Sequence, residues 1–296
     1  MTSTTLNNET NAICFLKMEN YQRTGSFKIR GALNAIICLS EEKKAKGVTT
    51  HSSGNFAQAL SLASKMARVK ATVVMPENAP KIKVAATKGY GAEVVFCGTK
   101  PGDREEMAQS LIDEYDYTLI HSSNDMNIIY GQSTATYELI KEVGELDYVF
   151  APCGGGGLLS GTAIATKSLC SEGKVIGVEP KNADDAFRSF RDGKIYPSIN
   201  PNTIADGLKT SLGNYTFKVI RENVDKIITV TEEEIVNAME FLWARMKHVV
   251  EPSGAVSLAG VLSDKIDLHQ KRVGVVISGG NIDLTNFFEL IRNKIK

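Results

Sequence analysis

The sequence predicts an α/β protein built on parallel sheet with helices on both faces. Two observations predict it. Short apolar runs rich in β-branched residues alternate with helical patterns along most of the chain, and glycine- or serine-rich turns follow several of those runs directly. Strands separated by helices can pair in parallel only through helical crossovers, which cover the sheet. The chain has 296 residues, 43% hydrophobic and 23% charged, enough for one large domain or two ordinary ones with a real core.

The elements follow in order. Residues 24–31, TGSFKIRG, open an apolar pattern through Phe27, Ile29, Ala32, Leu33, Ala35, Ile36 and Ile37, which reads as a core helix. Val48–His51 reads as a strand. Asn55–Ala67 reads as a helix, with apolar residues at 56, 57, 60, 62, 63 and 66. Ala71–Met75 is a strand stopped by Pro76. A helix through Lys81–Lys88 ends at Gly89, and the strand Glu93–Cys97 follows. Asp147–Ala151, Val175–Val178 and Val273–Ile277 are further strands.

Composition excludes several functions. Thirty-four basic and 34 acidic residues cancel, so nothing suggests nucleic acid as a partner. No apolar run approaches the roughly 18 residues of a membrane span, and the start MTSTTLNNETNA lacks the basic and apolar regions of a secretory leader. Five scattered cysteines without a CxxC pair read as free thiols in the cytoplasm.

Ligands of open parallel sheets bind at the carboxyl ends of strands, and three of those ends carry chemistry. In DYVFAPCGGGGLLSG, Gly154, Gly155, Gly156 and Gly157 join a strand to a helix. Bare amides at a helix N-terminus bind phosphate; close helix–sheet packing is the plainer alternative. In THSSGNFAQA, Ser52, Ser53 and Asn55 stand at a helix start, where either serine could simply cap the helix. In VVISGGNIDL, Ser278 follows a buried strand and precedes two glycines. A nicotinamide-dependent oxidoreductase would use the loop Gly154–Gly157 with Glu179 at the end of the next strand. That reading leaves Lys28 unexplained, although lysine is among the residues least often buried. Pyridoxal 5′-phosphate (PLP) needs an amine, a phosphate nest and a partner for its ring nitrogen. Lys28, the glycine loop and the hydroxyls at the two other strand ends would fit these needs.

GSFKIRGA, HSSGN, GGGGLLSG, ADG at 205–207 and SGGNIDL occur in one order along the chain. In this set the chain resembles the fold type II PLP enzymes, in the branch of serine/threonine dehydratases, serine racemases and 3-hydroxyaspartate dehydratases, from about Cys14 to Leu284. The resemblance implies a tryptophan synthase β-like fold of two open, twisted, mostly parallel sheets with helices on both faces. It implies a large PLP-binding domain over 1–46 and 125–296 and a small substrate-binding domain over 47–124. It implies that Lys28 forms the Schiff base, with Phe27 beside the ring. Asn55 faces the ring oxygen. Gly154, Gly155, Gly156, Gly157 and Leu158 hold the phosphate, and Ser278 meets the ring nitrogen. Ser52, Ser53, Asn55 and Phe56 hold a substrate carboxylate, Arg104 faces the substrate side chain, and Ser53 is the second catalytic group, opposite Lys28. In GVEPKNADD, the carboxylates of Glu179 and Asp185 and the Ala183 carbonyl match a site for Mg²⁺, Mn²⁺ or Ca²⁺, hard cations that oxygen donors suit; a solvated acidic turn is the alternative.

The implied activity is a PLP-dependent ammonia-lyase acting on L-serine, L-threonine or a related 3-hydroxy amino acid, with serine racemase activity where Ser53 works on the opposite face. A homodimer is implied as well. A non-catalytic PLP-binding protein is the second rival. Phe56 stands where the family generally has histidine, Ser122-Ser123 where it has Pro-Asn, and Tyr130 and Ser133 where it has small residues. These departures bear on substrate choice.

Overall fold

The computed structural model describes residues 1–100 and 102–294. Its contacts divide the chain into two compact units, Met1–Phe27 with Gln132–Lys296, and Lys28–Gly131.

Among the described residues nine strands form: β1 Ile13–Met18, β2 Val48–His51, β3 Ala71–Pro76, β4 Glu93–Cys97, β5 Thr118–Leu119, β6 Tyr148–Pro152, β7 Lys174–Pro180, β8 Lys226–Val230 and β9 Arg272–Ile277. The larger unit carries a sheet in the order β1-β9-β6-β7-β8, the smaller one β4-β3-β2-β5. Every strand pairing within them is parallel. This is the expected fold class, and the six expected strands lie where the apolar runs placed them.

Parallel strands covered on both faces become continuous apolar runs. In β3 the first five residues are all buried, and in β7 all but the first. The smaller unit closes around Val48, Val73, Leu60 and Ile36, each fully buried, and each such side chain contributes about 1.5–3 kcal/mol relative to exposure. Its helices Asn55–Ala67, Lys81–Gly89 and Asp103–Tyr115 alternate with its strands, and the helix Lys28–Ile37 packs on Asn55–Ala67. The larger unit closes around Leu16, Phe150, Val178, Met239 and Ile277.

Three strands extend the expectation. In β1 only Cys14 and Leu16 are buried, the alternation of an edge strand. β5 has two residues, too few to show a period. β8, with Ile227, Ile228 and Val230 buried, is the outer strand beyond β7. All five cysteines are free thiols, only Cys38 exposed. Among the described residues no helix is long and apolar enough to cross a membrane.

Candidate active site

In the smaller unit, Lys28 is the first residue of the helix Lys28–Ile37 and is half-buried. Its Nζ donates to the Ser122 carbonyl at 3.1 Å and lies 5.8 Å from the centre of the Phe56 ring. An amine at the head of a core helix is thus held over an aromatic face and against a backbone acceptor.

Ser52 and Ser53 follow β2. The helix Asn55–Ala67 begins after Gly54 with no side-chain cap, and Ser52 Oγ accepts the Gly54 N–H at 3.4 Å. The N-cap position is thus Gly54 rather than either serine, and Ser52 Oγ bonds to that N-cap residue's amide. Asn55 is half-buried in the first turn and Phe56 is buried behind it. Arg104 is exposed on the helix Asp103–Tyr115. The neighbouring Glu105 Oε1 lies 3.7 Å from His51 Nδ1 at the end of β2.

Sequence reasoning passed over two histidines here. His121 follows β5 by two residues, and its Nδ1 accepts the N–H groups of Ser123, at 3.1 Å, and Asn124, at 2.8 Å. Burial pushes the imidazole pKa down, and His51 and Lys28 push it further. For His51 burial also lowers the pKa, with Glu105 opposing and Arg104 adding. For His51 a signal was legible, the end of the strand Val48–His51; for His121 none was, since the two residues of β5 before it show no period.

In the larger unit, β6 runs through Cys153 into Gly154–Gly157, all buried. The helix Gly157–Leu169 starts there, with Gly156 as its N-cap at φ 82° and no side-chain cap. The first amides of any helix lack an intrahelical acceptor, so the first-turn N–H groups here, Leu158 among them, are bare peptide donors at the positive end of a helix dipole. A Cβ on Gly154 would stand 2.9 Å from Leu208 Cα, and one on Gly156 2.7 Å from Leu212 Cδ2. Only glycines build this cradle, and a phosphate group fits its chemistry.

Ser278, at the end of β9, is 3% exposed. Its Oγ donates to the Ser253 carbonyl at 3.3 Å, and its own carbonyl accepts the Phe27 N–H at 3.0 Å. The residue that precedes Lys28 in the chain is thereby pinned to the Ser278 turn.

Glu179, at the end of β7, is fully buried, and its two oxygens accept the Ala186 and Phe187 N–H groups at 2.9 and 2.7 Å. Asp185 opens the helix Asp185–Asp192 and is 1% exposed, yet neither of its carboxylate oxygens makes a hydrogen bond of good geometry; the Ser198 hydroxyl and its own amide stand close enough only to oppose burial in part. Burial raises its pKa to about 6. Burial, and then the neighbouring Asp185, hold Glu179 well above the usual carboxylate range. Ala183 lies between them in the one-turn helix Lys181–Ala183 and is buried. Buried, poorly partnered carboxylate oxygens beside a second carboxylate fit a hard cation. Among the described residues, however, no three His, Cys, Asp or Glu side chains cluster as a metal centre, so main-chain carbonyl and water would complete any coordination.

The family profile described as "Pyridoxal-phosphate dependent enzyme" matches residues 1–279. The chain belongs to the pyridoxal-phosphate-dependent enzymes. It is 49% identical to the L-threo-3-hydroxyaspartate ammonia-lyase of Saccharomyces cerevisiae, over 99% of this chain and 90% of that one. It is 48% identical to the serine racemase of Dictyostelium discoideum, over 98% and 91%. The crystal structure of the latter superposes with a TM-score of 0.91, covering 96% of this chain and 92% of that chain. The fold of this enzyme is therefore fold type II, shared with dehydratases and racemases. The nicotinamide reading is not favoured: both Glu179 oxygens are engaged by main-chain amides inside the fold rather than offered to a ribose.

Proposed function

We propose that this enzyme eliminates water from an L-3-hydroxy amino acid, L-threo-3-hydroxyaspartate, L-serine or L-threonine, that the enamine released takes up water again to give a 2-oxo acid and ammonia, and that the enzyme also racemises serine. One observation carries the proposal. The amine of Lys28 heads a core helix, and the preceding residue is hydrogen-bonded to the turn of Ser278. The identities to a hydroxyaspartate ammonia-lyase and a serine racemase support the substrate class.

When bound, PLP supplies an aldehyde that condenses with amines and a ring that draws electrons from the bond to be broken. Lys28 would take the Cα proton of the bound substrate, as a base tuned by its surroundings. The amides of Gly154–Gly157 and Leu158 would hold the phosphate, Ser278 would turn its hydroxyl from the Ser253 carbonyl to the ring nitrogen, Phe27 would pack beside the ring, and Asn55 would bond the ring oxygen. Ser52, Ser53, Asn55 and the Phe56 amide hold the substrate carboxylate, while Arg104 meets the side chain and so favours a second carboxylate. Ser53 gives or takes a proton on the face opposite Lys28.

We assign the substrate-holding part to 47–124, within the unit Lys28–Gly131, and the cofactor-holding part to 1–46 and 125–296. A Mg²⁺, Mn²⁺ or Ca²⁺ ion would be held by Glu179, Asp185 and the Ala183 carbonyl; the poorly partnered, buried Asp185 oxygens support this. We place the enzyme in the cytoplasm as a homodimer, the free thiols supporting the compartment.

The test is a turnover screen of the PLP-loaded protein over the three amino acids, reading 2-oxo acid, ammonia and D-serine. Formation of a 2-oxo acid from at least one of them is expected. A protein that holds PLP yet turns over none of them would be the non-catalytic binder instead.

A further inference from the structure

The loop after β5 contains a side chain that the proposed chemistry has not used. His121 Nδ1 accepts two main-chain N–H groups, from Ser123 at 3.1 Å and Asn124 at 2.8 Å. A ring nitrogen that accepts carries no proton, so a neutral His121 is the Nε2–H tautomer. The residue between His121 and Ser123 is Ser122, whose carbonyl accepts Lys28 Nζ at 3.1 Å. The imidazole thus closes a small turn, and that turn presents the acceptor for the lysine. Upstream, Ile120 is fixed to β2 by its N–H to the Thr49 carbonyl at 2.9 Å and is buried. Downstream, Asp125 Oδ1 accepts the Asn127 N–H at 2.7 Å and the Ile128 N–H at 3.3 Å. Between these two fixed ends, the His121 latch sets where the Ser122 carbonyl points.

We propose that His121 is a positioning residue for Lys28: its unprotonated Nδ1 holds the turn 121–124 in the shape that directs the Ser122 carbonyl at the lysine amine. The role rests on Lys28 being the reactive amine; the latch itself does not.

Protonation of His121 at Nδ1 would break both hydrogen bonds at once. The charged and titratable groups facing the ring are His51 at the end of β2, Lys28 on its helix and Asp125 in the same loop. The first two disfavour an imidazolium and the third favours it, while burial disfavours it most. The latch is therefore closed at neutral pH and opens on acidification, and the amine loses its acceptor as it does.

The experiment starts with wild-type apoprotein, so that it does not depend on turnover. Long-range ¹H–¹⁵N spectra assign the tautomer of His121, and Nε2–H is expected; an Nδ1–H signal would overturn the proposal without any mutation. Two variants follow. His121→Asn places a side-chain oxygen where Nδ1 stood and cannot be protonated in this pH range. His121→Leu has no acceptor. Amide exchange at Ser123 and Asn124 is expected to speed up about tenfold in the leucine variant, the scale of one lost hydrogen bond, and to stay near wild type in the asparagine variant. Reductive methylation of Lys28 by formaldehyde and cyanoborohydride is expected to become several-fold faster in the leucine variant, because losing an acceptor disfavours the charged amine. The asparagine variant restores the slower rate. On the PLP-loaded protein, the acid limb of kcat is flatter in His121→Asn than in wild type. Equal behaviour of the two variants in exchange and methylation would reduce His121 to a packing residue. Altered exchange and methylation in the leucine variant with no turnover by wild type on any of the three substrates would leave the latch standing and sink the proposed function.

Discussion

A lysine amine does not stand over a phenylalanine ring and against a peptide carbonyl without consequence. Lys28 Nζ sits 5.8 Å from the Phe56 centroid and 3.1 Å from the Ser122 oxygen. Lys28→Ala is expected to abolish both turnover and the visible band of bound cofactor, since no other lysine heads such a motif. Borohydride treatment followed by peptide mapping checks this; a reduced adduct on any other lysine would show the assignment to be wrong. Ser53 allows a sharper comparison. Inverting a carbon needs a proton carrier on each face, whereas elimination needs a base on one face and an acid for the leaving hydroxyl. The N-cap residue of the helix is Gly54, one place beyond Ser53, so Ser53→Ala leaves the N-cap residue itself unchanged. One general acid or base is worth about 10²–10⁴-fold, so D-serine formation should fall at least about tenfold more than pyruvate formation. Chiral chromatography and a coupled assay on one preparation measure both, and parallel loss would take Ser53 out of the chemistry. Lys28, Ser53 and Ser278 were legible in the sequence because each lies in a short motif at a strand end or helix start. His121 was not: its role comes from which nitrogen accepts two amides three-dimensionally close by, and a residue string does not state a tautomer.

At the scale of elements, the glycine cradle and the strand ends carry the argument. Gly156 stands at φ 82°, where an L residue costs about 1–2 kcal/mol, and its Cβ would meet Leu212 at 2.7 Å. Gly156→Ala is therefore expected to lower thermal stability and to weaken PLP binding together. Equilibrium titration of the apoprotein with PLP measures the second effect, and unchanged affinity with a lowered melting temperature would make the loop a packing device only. β2 and β5 end in His51 and close to His121, and both imidazoles have pKa values below their ordinary 6.5. The unfolded chain then binds more protons than the folded one just below that pH. The histidines' share of stability is accordingly full above about pH 6.5 and falls as the pH drops beneath it, whereas Glu179 and Asp185, whose pKa values are raised, contribute in the opposite sense over the same range. Denaturant melts at pH 7.5, 6.5 and 5.5 of wild type and of the variant with both histidines replaced by asparagine isolate the histidines' share: wild type is expected to lose more, or gain less, stability on acidification than the variant, and equal slopes would place the acid sensitivity elsewhere. Strand identity was legible wherever a run was apolar throughout, as in β3 and β7. It was poorly legible in β1, where only Cys14 and Leu16 turn inward, and in the two residues of β5.

For the molecule as a whole, the decisive quantity is what compensates two buried carboxylates. Glu179 has two main-chain donors, whereas neither Asp185 oxygen makes a hydrogen bond of good geometry, and both pKa values are raised chiefly by burial, which the nearby Ser198 hydroxyl only partly opposes at Asp185. Folding the chain therefore buries negative charge, or a proton in its place, at a cost that nothing in its own side chains offsets in full. A divalent cation that binds the folded chain and not the unfolded one removes that cost and adds its binding free energy to stability. The increment is about 2.7 kcal/mol at a hundredfold excess over Kd. In a chain of this length each kcal/mol moves the melting temperature by roughly 2–4 °C. Exhaustive EDTA treatment should accordingly lower the melting temperature of the enzyme by several degrees, and excess Mg²⁺, Mn²⁺ or Ca²⁺ should restore it. The double variant Glu179→Gln, Asp185→Asn separates this site from ions bound elsewhere. It removes the charge but keeps the volume and can still form hydrogen bonds, so its melting temperature should no longer respond to EDTA or to added cation. Wild-type protein that melts at one temperature with chelator and with cation would show that the carboxylate pair is held protonated rather than metallated. A double variant that still responds would move the ion to another part of the chain.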